Sequence, residues 1–104
     1  MFIDVLRARN IEFLEQLEDP MHVKRIFQYT PTQEQIAKYV ATAKKTIAFI
    51  DCMTRREQIT ISMDDPSLIR VAKKLDITQG DAARLLENIR RLHELEDGRS
   101  EFNR

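Results

Sequence analysis

Five helix-start signals are spaced along this chain, and they constrain its fold more than any other feature. They are Asp19-Pro20, Thr30-Pro31-Thr32-Gln33, Thr54-Arg55-Arg56-Glu57, Asp64-Asp65-Pro66 and Thr78-Gln79-Gly80-Asp81. In each, a short polar side chain can accept from the free N–H groups of a first helical turn, and a proline inside that turn loses no hydrogen bond. Between the signals, apolar residues recur at helical spacing. Val5, Leu6, Phe13, Leu14 and Leu17 form one stripe, and Ile36, Val40, Ala43, Ile47 and Ile50 form another. Leu68, Val71, Ala72 and Leu75 form a third, followed by Ala82, Leu85, Leu86, Ile89 and Leu92.

With two glycines and three prolines in 104 residues, there are few sites for the tight turns of a sheet protein. The expected fold is all-α, a compact bundle of about five helices forming a single module over residues 1–98. Its parts are N-terminal helices over 1–28, bent or broken at Pro20, a long helix over 31–53, a short corner over 54–64 and a helix-turn-helix-like pair over 65–97. Thr30 reads as the cap of the long helix, with Gln33 closing its box. Gln58 to Met63 alternates polar and apolar residues, which suggests a short extended piece. Asp97-Gly98 reads as the end of the last helix, and 99–104 as a disordered tail. A chain of this length supports one core, burying roughly 60–65% of its unfolded surface.

Seventeen basic and seventeen acidic side chains cancel, so the chain lacks the polycationic character that drives strong nonspecific nucleic-acid binding. An anionic partner would have to be met by a local cluster. Cys52 is the only cysteine, which excludes an internal disulfide and reads as a small hydrophobe at a helix end. There is no phosphate-cradling glycine loop, and His22 and His93 stand alone in sequence. The chain is therefore expected to be non-enzymatic, with no cofactor and no metal. Its amphipathic, charged amino terminus lacks the apolar core of a secretory signal, and no run approaches the roughly 20 apolar residues that span a bilayer. A cytoplasmic location without membrane insertion is the expectation.

The stretch IRVAKKLDITQGDAARLLENIRRL, residues 69–92, carries the most information about function. Ala72, Leu75, a three-residue turn and a second helix with Ala82 or Ala83 facing back suit two helices crossing at a steep angle. The second helix then offers Gln79, Arg84 and Asn88 toward a groove, with Lys73, Lys74, Arg90 and Arg91 for phosphates. Asp81 and Glu87 lie on the same helix and repel phosphate. On these residues alone, an ordinary helical corner is an equal reading.

Read together, the corner at Thr54 and this helix pair resemble the methionine-rich domain of the signal recognition particle GTPase. That family has a long helix ending in an apolar run followed by Ser-Met-Thr-x-x-Glu-Arg, and this chain has Cys52-Met53-Thr54-Arg55-Arg56-Glu57-Gln58. Where the family has Arg-Ile-Ala-x-Gly-Ser-Gly, this chain has Arg70-Val71-Ala72-Lys73-Lys74-Leu75-Asp76, and Phe13-Leu14-Glu15-Gln16-Leu17 is similar to the family's opening helix. The resemblance covers roughly residues 10–95. It implies RNA binding through the helix pair, at Arg70, Lys73, Lys74, Gln79 and Arg84. It also implies an apolar groove for signal sequences, here made by Phe13, Leu17, Met21, Phe27, Met53 and Met63. Few methionines and a short connection over 19–31 imply that signal-sequence binding is reduced or lost.

The leading expectation is thus a stand-alone, non-catalytic RNA-binding module. A protein- or peptide-interaction module that has lost RNA binding, with an apolar helix as partner, is the second reading. A dimeric helix-turn-helix regulator that binds DNA is the third.

Overall fold

The computed structural model describes residues 1–19, 21, 27 and 31–102, with side chains through Glu96. Among them are five helices and no strand: α1 (Phe2–Gln16), α2 (Gln33–Cys52), α3 (Arg55–Thr60), α4 (Asp65–Leu75) and α5 (Gln79–Phe102). The fold is the expected all-α bundle. Its extents are 43 × 41 × 19 Å, so the helices lie in a slab about two helix diameters thick.

Local signals set most of the boundaries. Thr54 and Glu57 form the reciprocal capping box: Thr54 Oγ1 accepts from the Glu57 N–H at 3.2 Å, and Glu57 Oε1 accepts from the Thr54 N–H at 2.8 Å. Asp64 Oδ1 accepts from the Ser67 N–H at 2.9 Å to start α4, with Pro66 in the first turn. Thr78 Oγ1 accepts from the Asp81 N–H at 3.0 Å to start α5. Asp19 Oδ1 accepts from the Met21 N–H, as a cap after the first stripe would. The short helix read beyond it lies outside the described residues, apart from Met21 and Phe27.

Three boundaries differ from the sequence reading. The cap of α2 is Thr32 rather than Thr30, and Gln35, not Gln33, closes the box, with bonds of 3.1 and 3.0 Å. Two overlapping boxes exist in this stretch, and the second leaves Pro31 buried just before the cap. Gln58 to Thr60 is helical, not extended, because the Thr54 box nucleates a turn that Ile61 ends in the left-handed region at φ 49°. The apparent alternation fails there: Ile59 is exposed and Ile61 is buried. Finally, α5 runs through Asp97-Gly98 to Phe102. A lone glycine costs a helix only about 1 kcal/mol, and it ends one when it turns left-handed, which no described glycine does.

The core gathers at the carboxyl end of α2, where α1, α4 and α5 all meet that helix. Phe49, Ile50 and Met53 lie there with Ile3 and Leu6 of α1, Val71 and Ala72 of α4, and Ala82, Leu86 and Ile89 of α5. Farther toward the start of α2, Ile36 and Val40 are only half-buried. Polar ties fix α1 on this frame: Arg7 Nε lies 2.7 Å from Asp51, Arg55 pairs with Asp4, and Arg9 lies 2.6 Å from Glu96 of α5.

Candidate nucleic-acid interface

The helix pair α4–α5 is built by its turn. After Leu75 the chain enters the left-handed region at Asp76, φ 56° and ψ 47°, and the Ile77 N–H returns to the Ala72 carbonyl at 3.0 Å. This reversal brings Ala72 and Ala82 face to face with the core, 4% and 0% exposed, whereas Ala83 points outward. Small side chains at both buried positions let the two backbones approach closely.

The outward face carries most of the expected contacts. Lys73, Lys74, Gln79 and Arg84 are all exposed. Arg84 makes only a loose pair with Asp81 at 4.0 Å, and neither lysine has an ion-pair partner among the described residues. Helix α2 adds a cation that the sequence reading missed. Lys45 and Thr42 form one wall of an open cleft of about 250 Å³, opposite Asp81, Arg84 and Asn88 of α5. Ile77 and Leu85, both packed against the core, complete its lining. The Lys44-Lys45 pair was the available signal, but only the packing of α2 beside α5 gives it meaning.

Arg70 has a different setting. Its Nη2 lies 2.6 Å from Glu57 Oε1, the same oxygen that accepts from the Thr54 N–H. This ion pair ties α4 to the start of α3 across a second cleft, of about 620 Å³, which Met63, Asp64 and Ser67 also line. Burial pushes the Glu57 carboxyl upward, but the Thr54 N–H, the Arg70 guanidinium and the Ser67 hydroxyl outweigh it and hold the group below its ordinary value. Arg70 thus serves the fold first.

The six residues expected to line an apolar groove have different settings. Met53 is a core residue at 6% exposure, Met21 is 74% exposed, and Met63 lies at the Arg70 cleft. Leu17 is half-buried as the C-cap of α1. Phe13 and Phe27 meet, with ring centroids 6.3 Å apart, and the unanticipated Tyr39 of α2 joins them at 6.4 and 5.0 Å. His93 packs its ring on Phe2 at 4.9 Å.

Among the described residues, no group of histidine, cysteine and acidic side chains is placed to hold a metal ion, and no helix is long and apolar enough to cross a membrane. No protein-family model matches the chain, and neither a curated protein nor a solved structure matches it.

Proposed function

We propose that the chain is a non-catalytic binding module of the signal recognition particle M-domain type, holding structured RNA through α4, α5 and the adjoining part of α2. The observation that carries this reading is the set of cations around the α4–α5 turn. Lys73 and Lys74 precede the turn, Arg84 follows it, and Lys45 of α2 lines one cleft with Arg84. Against these four stand Asp76 and Asp81, so the neighbourhood is net positive on a chain whose formal charge is zero. A local cluster on a neutral chain gives modest, salt-sensitive affinity rather than tight nonspecific binding. The left-handed backbone of Asp76 also supports the reading. The resemblance places a glycine there, and this conformation is the one glycine adopts without steric cost.

The test is a titration of the chain against a fluorescent RNA hairpin with an internal loop and an equal-length DNA duplex, at two salt concentrations. Tighter binding to the hairpin is expected, weakening with salt and with Lys45→Ala and Arg84→Ala. Salt-independent binding, or equal binding to DNA, would count against it.

A second reading has its own observation. Met1, Val5, Leu92 and Leu95 are exposed apolar side chains, and Leu92 and Leu95 share a small cleft with Phe2 and Leu6 of α1. Such a patch suits a protein partner. If Leu95→Glu abolished capture of a partner while RNA binding was absent in the parent chain, this reading would replace the first.

A further inference from the structure

On the RNA-binding reading, the cleft between α2 and α5 has a composition that narrows which part of an RNA it would take. Ile77 and Leu85 are half-buried and packed on the core, so they form the inner surface of the cleft. Lys45, Asp81, Arg84 and Asn88 are exposed and form its mouth. An apolar inner surface rimmed by cations, an amide and a carboxylate matches a flat ring system that carries a phosphate on one side and hydrogen-bonding groups on its edge. At about 250 Å³ it falls below the sites that enclose drug-sized ligands, about 300–1,000 Å³, and suits one base rather than a base pair.

The rim groups are free to act. The Asn88 side chain has no hydrogen bond among the described residues, so both its amide donors and its side-chain carbonyl are available. Arg84 is held only by the 4.0 Å contact to Asp81. The Ile77 backbone is anchored by its bond to Ala72, which keeps the inner surface in place before any ligand arrives.

We infer that this cleft receives a single unpaired nucleotide of the bound RNA, with guanine as the preferred base. The base lies against Ile77 and Leu85, and Lys45 and Arg84 meet the flanking phosphates. Asn88 and Asp81 take the base edge. A carboxylate at Asp81 can only accept, so it favours an edge rich in N–H donors. Guanine offers its ring N–H and its amino group together. In a duplex those donors are already paired, and Asp81 then faces only phosphate, which turns the acidic residue from a liability into a filter against paired RNA.

The experiment uses the full chain and three hairpins with one stem: a single bulged guanosine, an abasic residue at the bulge, and a fully paired stem. The bulged guanosine is expected to bind about tenfold more tightly than the other two. Asn88→Ala is expected to remove most of that margin. Asp81→Asn is expected to narrow the preference for a bulged guanosine over a bulged adenosine, with circular dichroism unchanged in both variants. Equal binding to all three hairpins would overturn the inference while leaving the broader RNA reading intact. A preference for the bulge that ignores both substitutions would place the base elsewhere and also overturn it. No binding to any hairpin would remove both.

Discussion

Glu57 Oε1 accepts at once from the Thr54 backbone N–H at 2.8 Å and from Arg70 Nη2 at 2.6 Å, so one oxygen closes a helix cap and joins two helices. The Glu57 side chain is 11% exposed and that of Arg70 46%, so the cap and the buried carboxylate matter more than the charge pair.

Replacing Glu57 by alanine removes the carboxylate half of the capping box, while the Thr54 hydroxyl keeps its bond to the N–H of residue 57, and leaves Arg70 without its partner. We expect a loss of about 2–3 kcal/mol in urea unfolding, against about 1 kcal/mol for Arg70→Ala. Equal losses would mean that the ion pair, not the cap, dominates.

Acid sensitivity should come from the same group. Glu57 is held below its ordinary value, and the Ser67 hydroxyl and backbone N–H hold Asp64 below its own. For a carboxyl lowered in the folded state, the stabilisation is complete above the unfolded value, about 4 for either residue. It is lost as pH falls through the lower folded value, because the unfolded chain takes up protons first. Unfolding free energies at pH 7, 4.5 and 3 should therefore fall less steeply for Glu57→Gln than for the parent chain. Parallel curves would show that Glu57 is not the group responsible.

Ala82 and Ala83 make an internal control for the α4–α5 crossing. Leucine at the fully buried Ala82 should destabilise the chain by about 1–3 kcal/mol through overpacking, whereas leucine at the exposed Ala83 should change little. Thermal melts of the two variants decide it; a tolerated Ala82→Leu would mean that the crossing is loose.

Asp76→Gly should act on stability and binding together. The left-handed backbone at Asp76 costs an L-residue roughly 1 kcal/mol that glycine avoids, so the variant should melt higher. Removing a carboxylate beside the cations of the turn should also tighten RNA binding several-fold at low salt. If the melt rose and affinity did not change, the turn would lie away from the bound phosphates.

What the sequence determined by itself is local. The Thr54, Asp64 and Thr78 caps and the three-residue break at Asp76 need only a few neighbouring residues to specify a helix start or stop, and each stands where the sequence places it. Local cues misled where two solutions competed, as at Thr30 and Thr32, or where a cue was weak, as at Gly98. Tertiary packing alone decided the rest. Phe49, outside the predicted stripe, is fully buried because three helices converge on the end of α2. Arg70 is drawn to Glu57, and Lys45 is set across a cleft from Arg84, by contacts between residues far apart in the chain. A side chain's helical face can be counted from its spacing, but which neighbour that face meets depends on how whole helices pack, and no short window of sequence contains that.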